Sequence, residues 1–421
     1  MPATADITLL AEAAIARCQK LATFSEDAHG ISRPFLSPPM RDVHREITTW
    51  LKPLGTEVHI DAAGNLRALY PAEESNAPRL LIGSHLDTVP NAGPYDGVLG
   101  VVLAVTLLQA LHGRKLPFAV EAVGFSEEEG VRFGTPFIGS RALVGRLDAA
   151  LLACEDRQGI SVRQAIANFG LNPDEIPQAS LPGNTFGYVE FHIEQGPVLE
   201  KLGLPLAAVE AIAGQTRMEF TFFGQSNHAG TTPMNLRYDA IAAAAEWITA
   251  VEQVAQSTPG MVATVGKIEA TPGAVNVIAG EARVTLDLRH GSDGIRKQAV
   301  AELINKAEEI SSRRGLSVQR KTLMEQAAVA MDPFLTSEIE KAIRRSGCEP
   351  HRMVSGAGHD AMILAEKIPA AMIFLSSPGG ISHHPAESVK VDDVAKAIEC
   401  GLHLLDQFAS NPLPQPRTPR A

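Results

Sequence analysis

At 421 residues the chain is too long for one ordinary core and suits two domains, or one domain with an insertion. Its 45% hydrophobic content is ample for burial, and a net charge of −11 with no long basic run argues against a nucleic-acid or other polyanionic partner. No stretch approaches the roughly 18 apolar residues of a membrane span, Met1 to Gln19 lacks the cationic start and unbroken apolar core of a secretory signal, and the four cysteines are scattered singly with no C-x-x-C, so reduced thiols and a cytoplasmic location are expected.

In chain order, Ile7 to Leu21 reads as an amphipathic helix. Pro34, Pro38 and Pro39 interrupt before Met40 to Leu54 resumes as a second helix closed by Gly55. Val58 to Tyr70 reads as a hairpin turning at Asp61 to Asn65, Arg79 to Ser84 as a buried strand, and Gly97 to His112 as a helix apolar nearly all round. Phe118 to Phe125 and Gly187 to Ile193 are further strands. Alternation of strands with apolar helices predicts an α/β domain whose mixed, mainly parallel sheet is flanked by helices.

The pattern changes after about Gly214. Phe220 to Phe223, Met261 to Ile268, Glu281 to Leu288 and Ser317 to Lys321 read as strands, separated by helices at Tyr238 to Ala255 and Gly294 to Arg314. They predict a self-contained α+β unit with a four-stranded antiparallel sheet and two helices. Helix Pro333 to Ser346, strand Ala370 to Leu375, a loop from Ser376 to Glu387 and helix Val391 to Ala409 then resume the earlier pattern. Residues 214–330 are therefore expected to be an insertion into a domain formed by 1–213 and 331–421, and 411–421, with four prolines, to be a loose tail.

The chemistry-bearing residues stand where apolar runs give way to glycine-punctuated turns. His85 and Asp87 follow Leu80-Leu81-Ile82, so a buried strand presents the imidazole at its end, where ligands of α/β proteins bind. The spacing of two puts the Asp87 carboxylate on the same side, able to orient the ring. Asp96 lies between glycines in Gly93-Pro94-Tyr95-Asp96-Gly97, just before a helix; Glu128 and Glu129 follow a strand and diverge; His192 emerges from a strand; His383 sits in a loop after one. A run of three glutamates in isolation is a solvated face, and a lone histidine is more often structural than a ligand. Here the glutamates directly follow a buried strand and precede Gly130. Five such residues in one kind of location suit two divalent cations about 3.5–4 Å apart, which need a shared carboxylate, here Asp96, and flanking nitrogen and oxygen ligands. His29, His44, His59, His112, His351 and His403 have no such setting and read as structural.

These stretches, with His192-Ile193-Glu194-Gln195-Gly196-Pro197, Asn227-His228-Ala229-Gly230-Thr231-Thr232-Pro233-Met234, Asp287-Leu288-Arg289 and Gly358-His359-Asp360, resemble the binuclear metal-dependent peptidase and amidohydrolase family. Within it they are most similar to the branch of N-carbamoyl-L-amino-acid hydrolases, β-ureidopropionases and allantoate amidohydrolases. The resemblance implies His85, Asp96, Glu129, His192 and His383 as ligands of two divalent metal ions, with Asp96 bridging and Glu128 as general base. His383 is chosen over His384 because it aligns with Gly-Ile-Ser-His. The resemblance also implies that the inserted unit is a lid and dimerisation domain. In a homodimer His228 would reach the partner's active site and polarise the scissile carbonyl, while Asn276 and Arg289 hold the substrate carboxylate and Gln195, Gln215 and His359 line the same pocket.

The expected function is metal-dependent hydrolysis of a ureido C–N bond in a small carboxylate, releasing ammonia and carbon dioxide. Allantoate is the first choice because Ser37-Pro38-Pro39-Met40 and the Asp61 to Leu66 turn look closest to allantoate amidohydrolases. An N-carbamoyl-L-amino acid is the alternative; a β-ureidopropionase, a dipeptidase and a metal-stabilised binding protein stand behind it. Ligands without thiolate suit zinc, manganese, cobalt or nickel.

Overall fold

The computed structural model of the protein describes residues 4–411 and 413. The stretch 411–421, expected to be a tail, lies outside them apart from Asn411 and Leu413. The chain divides into two compact units. The first is Met1–Glu210, Met331–Met353 and His359–Ala421; the second is Ala211–Ala330 with Val354–Gly358.

The first unit opens with α1 (Thr4–Ala22) and α2 (Pro38–Leu51), the latter continued by a 3-10 turn to Leu54 and stopped at Gly55, whose φ of 74° suits a residue without a Cβ. The strands β1 (Glu57–Ile60) and β2 (Leu66–Tyr70) form the expected hairpin, its turn held by the Asp61 carboxylate accepting from the Ala63 and Asn65 amides. β3 (Arg79–His85), α3 (Val98–Ala110), β4 (Ala119–Phe125), β5 (Thr185–Ile193) and β6 (Leu206–Ile212) follow. The sheet order is β1-β2-β4-β3-β5, then the strand Ala370–Leu375, then β6. The central strands β4, β3, β5 and Ala370–Leu375 are mutually parallel, and antiparallel strands finish both sides.

α3 is apolar all round because it is enclosed. It packs on β3, β4 and β5 on one side and on α1 and the C-terminal helix Val391–Ser410 on the other, so all but one of its residues are buried. No helix among the described residues is long and apolar enough to cross a membrane.

One buried histidine sets an acid sensitivity. Burial, with Arg33 and then Arg41 adding, pushes the His44 imidazole down to about 3. The ring is thus neutral when folded and regains its ordinary value of 6.5 only on unfolding. As pH falls through this window the unfolded chain binds the extra proton, so stability drops by on the order of 1.4 kcal/mol per pH unit. His44→Gln is expected to flatten the pH dependence of the urea midpoint below about pH 6; an unchanged slope would contradict the assignment.

In the second unit the sheet runs β10 (Ile268–Thr271), β12 (Glu281–His290), β7 (Gly214–Phe223), β13 (Ser317–Gln326), with β9 (Val262–Thr264) also on β12. It has five strands rather than the four expected. The stretch expected as one strand from Met261 to Ile268 is broken: Thr264 pairs with Asp287 and Ile268 with Val284, and between them only the Lys267 carbonyl, accepting from the Thr285 amide, keeps a bond to β12. The helices Ala240–Ser257 and Asp293–Arg313 cover one face, where Trp247 packs on Phe220 and Phe222 and donates its indole N–H to the Leu303 carbonyl at 2.9 Å. A two-stranded ribbon, β8 (Asn227–His228) with β11 (Val277–Ile278), completes the unit.

Candidate metal centre and active site

Four adjacent parallel strands deliver the first unit's expected site residues at their carboxyl ends, the position where open α/β sheets bind ligands. His85 ends β3, Ser126 to Glu129 follow β4, His192 lies one residue from the end of β5, and the Ser376 to Glu387 loop follows Ala370–Leu375. Asp96 sits in the turn between β3 and α3.

The two buried imidazoles are held in orientation through Nδ1. His85 Nδ1 lies 3.0 Å from the Asp87 carbonyl and His192 Nδ1 2.9 Å from the Ile193 carbonyl. A carbonyl can only accept, so each Nδ1 carries a proton and each ring is set with Nε2 toward Asp96. Those Nε2 atoms face each other at 3.5 Å and lie 3.8 Å (His85) and 3.2 Å (His192) from Asp96 Oδ1, a buried oxygen with no well-formed hydrogen bond. Burial opposes charge on these rings, yet Asp87 and then Asp96 raise His85 well above the ordinary imidazole value and Asp96 raises His192, so positive charge is favoured among these donors, and two imidazole nitrogens with a carboxylate oxygen suit a metal ion.

The other side of Asp96 has the same character. His383 Nε2 is 3.1 Å from Asp96 Oδ2 and 3.4 Å from Glu129 Oε1, and Asp96, then Glu129, push the half-exposed imidazole up to about 10. Positive charge is favoured between these two carboxylates. The two ligand groups His85–Asp96–His192 and Asp96–Glu129–His383 share Asp96, the arrangement a bridging carboxylate requires.

Asp87 ties the parts together. Its oxygens accept from the Glu128 amide at 3.0 Å and the Glu129 amide at 3.1 Å, and Oδ1 lies 3.4 Å from His85 Nδ1, so one carboxylate fixes both the ring and the glutamate turn. Burial pushes the Glu128 carboxyl well above the usual carboxylate range; His85 works against this, while Glu129, Asp360 and Asp87 add to it. Gln195 donates to Asp96 Oδ2 at 2.9 Å and to Ser382 Oγ at 3.2 Å. His359 is buried edge-on to His192, ring centres 4.4 Å apart, and burial followed by His192 holds it neutral.

The remaining expected residues lie in the second unit, in two places. His228 lies on the β8–β11 ribbon and Asn276 just before β11; the Ala229 amide donates to the Asn276 carbonyl and His228 Nδ1 accepts from the Gly230 and Thr231 amides. Gln215 and Arg289 pair across β7 and β12. Arg289 donates through Nε and Nη2 to Asp287 and through Nη1 to the Gly356 carbonyl at 2.8 Å.

Several residues of the first site escaped the sequence reading. Glu387 Oε1 accepts from the Tyr95 and Asp96 amides at 2.7 and 3.0 Å, and Ser382 Oγ donates to Asp96 at 2.9 Å, so the His383 loop itself holds the Asp96 turn. Glu190, two residues before His192 on β5, accepts from Ser84 Oγ and the Ala361 amide and forms a third candidate ligand group with His192 and His359. A carboxylate inside an otherwise apolar strand was its available signal.

Imidazoles converging on a shared carboxylate with a buried glutamate beside them are the side-chain set that suits a metal-dependent hydrolase. Residues 81–407 match peptidase family M20/M25/M40, and the chain belongs to that family, which is typically dependent on two metal ions. It is an amidohydrolase, acting on carbon–nitrogen bonds other than peptide bonds. An N-carbamoyl-L-amino acid amidohydrolase of Geobacillus stearothermophilus is 39% identical over 383 residues, covering 90% of this chain and 94% of its own. An allantoate deiminase of Arabidopsis thaliana is 37% identical over 438 residues, covering 96% of this chain and 82% of its own. Among solved structures, a hydantoinase/carbamoylase-family amidase from Burkholderia multivorans matches with a TM-score of 0.89 at 29% identity, covering 96% of this chain and 98% of that one.

Proposed function

We propose that the protein hydrolyses a ureido C–N bond of a small carboxylate, with allantoate as substrate, releasing ammonia and carbon dioxide. The observation that carries the chemistry is the convergence of His85 Nε2 and His192 Nε2 on Asp96 Oδ1 beside a buried Glu128. His85, Asp96, Glu129, His192 and His383 would hold two divalent ions, zinc, manganese, cobalt or nickel, which when bound activate water and polarise the carbonyl.

The chain's own residues supply the rest. Glu128 takes a proton from the attacking water and delivers it to the departing nitrogen, a role suited by its raised pKa. His228 stabilises the developing oxyanion, and Arg289 and Asn276 hold the substrate carboxylate. Gln195, Gln215 and His359 line the same pocket, Gln195 also donating to Asp96 and His359 packing on His192. In this reading the inserted unit acts as a lid, and His228 serves the site of the second subunit of a homodimer.

An N-carbamoyl-L-amino acid is the second reading, favoured by the similarity to the Geobacillus enzyme. The test is ammonia release from allantoate, ureidoglycolate, 3-ureidopropionate and several N-carbamoyl-L-amino acids after reloading with manganese, zinc or cobalt. Allantoate is expected to give the highest kcat/KM. Preference for a carbamoylated amino acid would transfer the assignment to the second reading, and hydrolysis confined to dipeptides would end both.

A further inference from the structure

The β7–β12 register sets Gln215 opposite Arg289 and Arg217 opposite Asp287. Side chains alternate along a strand, so these four share the sheet face turned away from Met218, Phe220, Leu286 and Leu288 of the core. Asp287 is their hub. It accepts from Gln215 Nε2 at 2.6 Å, Arg217 Nε at 2.9 Å, Arg289 Nε at 2.9 Å and Arg289 Nη2 at 3.0 Å. Partial burial opposes its charge, but Arg289 and then Arg217 hold the carboxyl below the usual range, so it is ionised.

A guanidinium has five N–H donors. In Arg289 three are engaged, leaving one on each terminal nitrogen, the pair that can grip both oxygens of a carboxylate. In Arg217 only Nε is engaged; its terminal nitrogens have no partner among the described residues, and the side chain is 47% exposed. Arg217, Asp287 and Arg289 line one cavity of about 720 Å³, whose other walls include Val262, Leu323 and Val354.

We propose that Arg217 is a specificity-determining residue, held beside Arg289 by their shared Asp287, that receives the carbonyl oxygen of a second, non-reacting ureido arm. This rests on the ureido-carboxylate reading above and selects within it. Charge balance supplies the argument: two guanidiniums, the Asp287 carboxylate and one substrate carboxylate sum to zero, so whatever meets Arg217 must be neutral. It must also accept hydrogen bonds, because an apolar side chain closing over those terminal nitrogens would strand donors. A ureido carbonyl satisfies both conditions. The aliphatic side chain of a carbamoylated amino acid satisfies only the first.

The test compares Arg217→Ala, Arg217→Gln and Arg289→Ala with the metal-loaded wild type on allantoate and on N-carbamoyl-L-alanine, with thermal melts as a check on folding. Both Arg217 variants should lower kcat/KM for allantoate by about tenfold or more, mainly through KM, and that for N-carbamoyl-L-alanine by less than about threefold. Arg289→Ala should weaken both substrates. Equal losses on the two substrates in the Arg217 variants, or no loss on either, would overturn the assignment while leaving the hydrolase reading intact. A wild type inactive on every ureido carboxylate would bring down that reading and this inference with it.

Discussion

Glu128→Gln is expected to lower kcat by about 10²–10⁴-fold while the protein still binds its metal. The substitution keeps the shape of the side chain and removes only its ability to take a proton. The backbone bonds that fix the turn come from the Glu128 and Glu129 amides to Asp87 and are untouched. Glu129 is better placed than Glu128 to be a ligand, since it belongs both to the His85 group and to the Asp96–His383 group, whereas Glu128 joins only the first. Burial with a strongly raised pKa is the environment of a proton carrier, whereas Glu129 Oε1 lies 3.4 Å from His383 Nε2 within the Asp96 group, the position of a ligand. Metal content measured by elemental analysis beside single-turnover rates separates the two roles. Loss of metal together with turnover would make Glu128 a ligand, and unchanged turnover would remove it from the mechanism.

Much of this site could be read in the sequence for a simple reason. A parallel strand buried on both faces is an apolar run, and the residue after the run has to emerge at the sheet's carboxyl end, so Leu80-Leu81-Ile82 announces where His85 will stand. What escaped are contacts that cross long stretches of chain. Glu387 holds the Asp96 amide from 291 positions away, and nothing local distinguishes it from any glutamate in a loop. The break between Thr264 and Ile268 was also invisible, because an edge strand can leave and rejoin its neighbour without losing its apolar pattern. β6 was missed because Leu206-Ala207-Ala208-Val209, buried throughout, has no period of two to detect. In Arg289 the sequence suggested a carboxylate clamp; it could not show that Asp287 and the Gly356 carbonyl already engage three of its donors and so leave one approach open.

Gly97→Ala should weaken metal binding by about 10–100-fold and take activity down with it. Gly97 stands at the start of α3 with φ 66° and ψ −52°, outside the regions open to other residues, so any side chain there is strained by about 1–3 kcal/mol. The larger effect is local. A Cβ at this position would lie 2.3 Å from His85 Nε2, the atom that faces Asp96. The ring is enclosed and its Nδ1 is tied to the Asp87 carbonyl, so it can relieve the clash only by moving Nε2 off the metal position. Strain alone would also lower stability, and Gly113→Ala separates the two effects: Gly113 just beyond α3 has φ 81° but nothing within 4 Å of an added Cβ. That control should cost about 1 kcal/mol and leave metal content unchanged. Titration of both apo variants with zinc in a competing chelator reads the difference. Wild-type affinity in Gly97→Ala would mean that His85 does not bind metal through Nε2, and the shared site around Asp96 would have to be rebuilt without it.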